Sequence, residues 1–220
     1  IYLYGPMQNA SIRNMVAHWK SDKPVEGTRF EIYEPDGSLA GMPVAAGLTD
    51  TAGELTFSAL ADQNYRVSAA RSASASDRAD AVSAADVLAA LKMAYGRNPN
   101  ADPDGRSGSN VAPLPSAFQF IAADVDGDGR VTTGDAIQIA HTALARANMA
   151  TPDWRVFDQG AVLEPLSRSS VRWPKAEAVI DASSADSAKW VAVLPGDVDG
   201  DWHSSADFLL GAEWVQPVIG

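Results

Sequence analysis

The stretch Asp124-Val125-Asp126-Gly127-Asp128-Gly129-Arg130-Val131-Thr132-Thr133-Gly134-Asp135 carries the densest chemical signal in the chain. Asp124, Asp126 and Asp128 alternate, so a tight loop turns all three carboxylates to its inner side. Calcium gathers roughly six to eight oxygens at about 2.3–2.6 Å, and a loop wrapped around one ion meets that demand. Gly129 permits the sharp reversal that follows the third carboxylate. At Arg130 the backbone carbonyl points inward, not the side chain. Val131 is apolar and pins the loop to a core. Thr132 offers a hydroxyl or holds a bridging water, and Asp135 closes the shell. An acidic turn can also be no more than the start of a helix, where carboxylates favour the macrodipole. Three Asp at alternate positions, with Gly, an apolar residue and the closing Asp all in register, favour the ion.

Composition frames this reading. The chain has 220 residues, 46% of them hydrophobic, with 17 Lys and Arg against 28 Asp and Glu and a formal net charge of −11. That is enough chain for one large domain or two small ones. The acidic balance disfavours a nucleic-acid partner, which needs clustered cations, and suits cation binding. No apolar run approaches the roughly 20 residues of a membrane span. Cysteine is absent, which removes disulfides, thiolate catalysis and Cys-ligated zinc. His18, His141 and His203 are far apart in sequence, which argues against an imidazole-rich transition-metal site. The sequence starts at Ile1 with no charged-then-apolar leader, and so reads as a processed product or a fragment.

Upstream of the acidic loop, the period is two. Phe30 and Ile32 alternate with Arg29, Glu31 and Tyr33, and Leu55 and Phe57 with Glu54, Thr56 and Ser58. Tyr65 and Val67 make a third alternating segment. Turns are expected at Pro35-Asp36-Gly37 and Thr51-Ala52-Gly53. Ser72–Asp77, rich in Ser and Ala, reads as a linker. Helix-forming composition then runs from Asp86 to Tyr95, with Gly96 placed to stop it. Asn98–Asn110 reads as a polar loop, and a second helix follows Asp135. Short strands are expected around Trp154–Phe157, Val171–Trp173 and Trp190–Leu194.

The acidic loop matches the EF-hand pattern, except that Asp replaces Glu at its twelfth position. With the helix that follows, Asp124–Leu144 resembles a dockerin repeat. An earlier segment, Ala81 to Leu91, aligns with Arg130 to Ala140, the internal duplication a dockerin-like pair would show. That first copy has Ala75 and Ala79 where carboxylates belong, and keeps Asp77, Ser83 and Asp86 as its side-chain oxygens. A third motif, Pro195-Gly196-Asp197-Val198-Asp199-Gly200-Asp201-Trp202, repeats the opening of the good loop but has Phe208 at the closing position. One half-site has an end without a start, the other a start without an end. Asp197, Asp199 and Asp201 can fold back onto Ser83 and Asp86 to make a split site. Alternatively they bind their own ion with Asp207, the His203 carbonyl or water.

At the N-terminal end, Lys23-Pro24-Val25-Glu26-Gly27, Thr49-Asp50-Thr51-Ala52-Gly53, Phe57, Leu60 and Tyr65-Arg66-Val67 follow an order that resembles prealbumin-like sandwich modules of surface proteins, of the Cna-B or carboxypeptidase-regulatory type. The role such a resemblance implies is spacing or display.

Weaker features read as structural. Asp102-Pro103-Asp104-Gly105 reads as a solvated loop, and Asn9-Ala10-Ser11 fits the glycosylation triplet. Trp154, Trp173 and Trp190 are expected in the core, with Trp202 and Trp214 the candidates for exposure. No nucleotide-binding Gly-rich loop and no nucleophile elbow is present.

The expected fold is α+β: a sandwich over 1–72, a dockerin-like calcium-binding helical pair over 73–150, and a β-rich extension over 151–220. The expected metal set is Ser83, Asp86, Asp124, Asp126, Asp128, Arg130, Thr132, Asp135, Asp197, Asp199 and Asp201, holding two calcium ions. The implied role is a non-enzymatic extracellular or cell-surface assembly module. Its partner would be another surface protein, a cohesin among the options the resemblance offers, or neighbouring domains of the same polypeptide. The alternative is the C-terminal accessory part of a larger exported hydrolase.

Overall fold

The computed structural model describes residues 9–34, 41–60, 63–101, 112–144, 151–161, 163, 166–183 and 187–203. The expected turn at Pro35, the loop at Asp102–Gly105, Asp207 and Trp214 lie outside them. Among the described residues, eight strands and four helices follow one another as β1 (Asn9–His18), β2 (Arg29–Tyr33), β3 (Ala45–Leu48), β4 (Glu54–Leu60), β5 (Asn64–Ala70), α1 (Ala75–Ala81), α2 (Ala84–Ala94), α3 (Ala117–Ala123), α4 (Thr133–Ala143), β6 (Arg155–Asp158), β7 (Glu177–Asp181) and β8 (Ser187–Val193).

The strands form two four-stranded sheets, in the orders β4-β1-β8-β6 and β3-β2-β5-β7. All pairings are antiparallel except β1 with β8. The fold class is thus α+β with a β-sandwich. Phe30 of β2 meets Trp190 of β8 edge to face at 5.2 Å, and Phe57 of β4 meets Tyr65 of β5 at 6.1 Å, so aromatic pairs join the two sheets. The segment 151–220 supplies β6 and β8 to one sheet and β7 to the other, so the expected boundaries at 72 and 150 cut across both sheets. The reason is β1, a central strand: β4 pairs with one of its hydrogen-bonding edges and β8, from the far end of the chain, with the other.

Residues Ile12, Asn14, Val16 and His18 of β1 all face the core, as strand alternation dictates. Two of these four are polar, which hid the strand from a hydrophobicity reading. The helices carry clear start signals. Ser74, Ser83, Ser116 and Thr132 are N-caps, each in a reciprocal capping box with Asp77, Asp86, Gln119 and Asp135. Gly96, with φ +70°, follows the end of α2. Helices α2 and α4 are each 11 residues long and pack together.

Three expectations need correction. Ser72–Asp77 is not a bare linker, because Ser74 starts α1 and Asp77 is buried against Arg71 at 3.0 Å. Val171–Trp173 is not a strand; the Val171 amide donates instead to the Gly129 carbonyl at 2.8 Å. Trp202 is buried, 3% exposed, against Trp154 at 5.0 Å.

Candidate metal centre

The loop that leads into α4 is built from both ends. Asp124 ends α3 and is fully buried; its Oδ2 accepts the Gly129 amide at 3.2 Å. Its Oδ1 is buried and has no hydrogen-bond partner among the described residues. Asp126 and Asp128 are exposed, and one oxygen from each of Asp124, Asp126 and Asp128 lies within 4.8 Å of the others. Burial, and then the charges of Asp135, Asp126 and Asp128, push the Asp124 carboxyl up to about 6 against the Gly129 hydrogen bond.

Asp135 stands outside this triplet. Its Oδ1 accepts the Val125 and Asp126 amides, and its Oδ2 accepts the Thr132 amide and hydroxyl, so it ties the start of the loop to its end. Thr132 caps α4 through the Gly134 amide at 3.0 Å, and exposed Arg130 donates its amide to Asp128. The loop rests on the segment 168–173. The Val131 amide donates to the Arg168 carbonyl at 2.7 Å, and a Cβ added at Gly127 would meet the Trp173 ring at 2.7 Å. Arg155 of β6 stacks on that same indole, 3.6 Å from its centroid.

A second acidic group draws on distant parts of the chain. Asp86, Asp197 and Asp199 each bring a carboxylate oxygen within 4.8 Å of the others. Asp86 and Asp197 are fully buried. Asp86 Oδ1 accepts the Val198 amide at 2.8 Å and the Asp199 amide at 3.0 Å, while Oδ2 accepts the Ser83 amide and hydroxyl. This is the bonding that Asp135 makes with Val125, Asp126 and Thr132, reproduced between two segments. Asp201 is exposed and outside the group; its amide donates to Asp197 and Asp199. Burial, reinforced by the charges of Asp199 and Asp197, pushes the Asp86 carboxyl up to about 7, and Asp199 is raised for similar reasons. Of the alternative ligands, His203 has its Nδ1 3.4 Å from the Asp201 carbonyl, and Asp207 is not among the described residues.

Several residues around this group were not singled out from sequence. His18 Nε2 lies 3.0 Å from Asp197 Oδ2, with both side chains fully buried. Gln119 of α3 donates to the Val198 carbonyl at 3.1 Å, and the Gly196 amide donates to the Ala122 carbonyl. Gly200 lies under Trp19, so a Cβ there would come within 2.6 Å of the ring, and Lys20 donates to the Asp199 carbonyl. A hydrophobicity pattern does not mark His18, because it shares the inner face of β1 with another polar residue, Asn14.

The donors in both groups are hard oxygens, the chemistry of calcium rather than of thiolate- or imidazole-seeking metals. The buried, unpartnered Asp124 Oδ1 fits such an ion directly.

No protein-family model matches the chain, and no curated protein does. Among solved structures it is similar to BcpA, the major pilin subunit of Bacillus cereus, at 16% identity and a TM-score of 0.26, over 30% of this chain and 19% of that one. It is similar to the C-terminal domain of the shaft pilin SpaA from Lactobacillus rhamnosus GG, at 15% identity and a TM-score of 0.22, over 28% of this chain and 75% of that one. An intradiol ring-cleavage dioxygenase from Tetranychus urticae matches at 15% identity and a TM-score of 0.23, over 29% of this chain and 45% of that one. The chain thus spans about a fifth of the length of the BcpA subunit. Among the described residues, no helix is long and apolar enough to cross a membrane.

Proposed function

We propose that this chain is a calcium-stabilised structural or assembly module of an extracellular or cell-surface protein. It holds one ion in the loop Asp124–Asp135 and a second in the composite site of Asp86, Asp197 and Asp199, with Ser83 and Asp201 hydrogen-bonded beside them. The observation that carries the reading is Asp124 Oδ1, buried without a partner in a cluster with two further carboxylates. An ionised oxygen in such surroundings is costly unless a cation meets it.

Each ion acts as a cross-link. In the continuous loop it fastens the end of α3, at Asp124, to the turn that leads into α4. In the composite site it fastens α2 to the chain leaving β8. An ion bound only by the native state stabilises by mass action, about 2.7 kcal/mol at a hundredfold excess over Kd. Extracellular calcium is abundant enough for weak sites to be filled. A rigid, ion-locked body suits spacing and display, with another surface protein or neighbouring domains of the same polypeptide as partner.

Calorimetric titration of chelator-stripped protein tests this. Wild type takes up two calcium ions, and Asp124→Ala and Asp86→Asn each take up one. One ion in wild type, or unaltered binding by both variants, overturns the reading.

A further inference from the structure

The composite site, if it holds an ion as proposed above, has a mechanical problem that the continuous loop lacks. Its closing acid, Asp86, and its opening segment are far apart, with Val198 lying 112 residues beyond Asp86. A short loop keeps its own ligands in register; here something else must hold the first ligand in place. We propose that His18 is that positioning residue, and that through it the sandwich strand β1 sets the calcium affinity of the composite site.

The geometry is specific. His18 is the last inward-facing residue of β1 and is fully buried. The Ser21 amide donates to its Nδ1 at 3.4 Å, and the Ser21 hydroxyl lies 3.0 Å from the same atom. A carboxylate can only accept, so in the contact with Asp197 Oδ2 the hydrogen is carried by Nε2. Asp197 Oδ1 accepts the Asp201 amide at 3.0 Å, which gives the carboxylate a second anchor and sets its plane. The imidazole is itself fixed by three indoles, with ring centroids at 5.8 Å for Trp19, 6.3 Å for Trp154 and 5.5 Å for Trp202. His18 is not a member of the carboxylate cluster, so it acts on Asp197 from outside the ligand group. Groups that orient a metal-ligating carboxylate in this way commonly control affinity by roughly 10–100-fold.

The test uses the full chain in an Asp124→Ala background, where calorimetry with calcium reports the composite site alone. His18→Ala weakens calcium binding there on the order of 10–100-fold. In the otherwise wild-type chain the same substitution leaves the affinity of the continuous loop unchanged. Unaltered affinity of the composite site in folded His18→Ala protein overturns the proposal while leaving the site intact. If the Asp124→Ala chain binds no calcium at all, the composite site itself fails, and the role of His18 with it. Should His18→Ala not fold, His18→Gln and His18→Asn decide: Gln extends an amide N–H toward Asp197 and keeps affinity, whereas the shorter Asn loses it. Equal affinity in those two variants overturns the proposal.

Discussion

Stripping the protein of divalent ions should invert its response to pH. Asp86 is the governing group: burial and its acidic neighbours raise it from 3.8 to about 7 in the folded chain. At about 1.4 kcal/mol for each tenfold, that difference is on the order of 4 kcal/mol between the charged and neutral forms. The sign follows from proton counting. Between about 4 and 7 the unfolded chain has released this proton and the folded chain has kept it, so metal-free stability falls as pH rises through that window. On the order of 3 kcal/mol of the loss lies between pH 5 and pH 8. Asp124 and Asp201, each raised to about 6, act in the same direction. Asp77 does not interfere. Burial alone would raise it, but Arg71 and Ser74 hold it below its ordinary 3.8, so its contribution is lost only in stronger acid. In a chain of this size, 3 kcal/mol moves the midpoint by roughly 6–12 °C. Thermal melts in chelator should therefore give a higher Tm at pH 5 than at pH 8. Excess calcium should reverse the order, because the ion needs ionised carboxylates and binds best at pH 8. A chelated protein that gains stability from pH 5 to pH 8, or a calcium effect equal at both, would refute the reasoning.

Other perturbations have defined outcomes. Gly127→Ala forces a Cβ to 2.7 Å from Trp173 at a φ of +71°; it should destabilise by about 1–3 kcal/mol in urea unfolding and weaken calcium binding at the continuous loop alone. Arg71→Ala removes a two-pronged hydrogen bond to Asp77, a bond to the Glu26 carbonyl and a stack on Trp154. Because both partners are largely buried, the loss should be about 3 kcal/mol by the same measurement, with the calcium stoichiometry unchanged. Terbium substituted for calcium should luminesce on tryptophan excitation, and Trp173→Phe should remove the component that belongs to the continuous loop. Equal emission from the variant would place Trp173 away from the ion.

Much of the local structure was legible because local rules suffice for it. The alternation around Phe30 and Ile32, Leu55 and Phe57, and Tyr65 and Val67 corresponds to β2, β4 and β5. Ser83 with Asp86, and Thr132 with Asp135, start two helices of the same length at equivalent positions of a duplicated stretch. The alternating Asp of 124–128 converge as their spacing requires. Strand β1 escaped because Asn14 and His18 occupy inner positions where a hydrophobicity pattern expects apolar residues. Asn14 Oδ1 accepts the Trp190 indole N–H at 3.1 Å, although its Nδ2 is buried without a partner among the described residues, and His18 meets Asp197. Trp202 reads as a candidate for exposure because nothing nearby in sequence indicates Trp154, whose ring packs against it.

The amino-acid order alone determined which residues carry oxygens at ligand spacing, where α2 and α4 fall, and that β2, β4 and β5 bury one face, since each depends on neighbours a few positions apart. Only the tertiary structure decided that β8 lies parallel to β1, that the chain leaving β8 arrives beside Ser83 and Asp86, and that His18 meets Asp197. A parallel pair needs a long crossover, and the partner a strand finds is fixed by which buried faces fit together, a property of the assembled core that no short window of sequence contains.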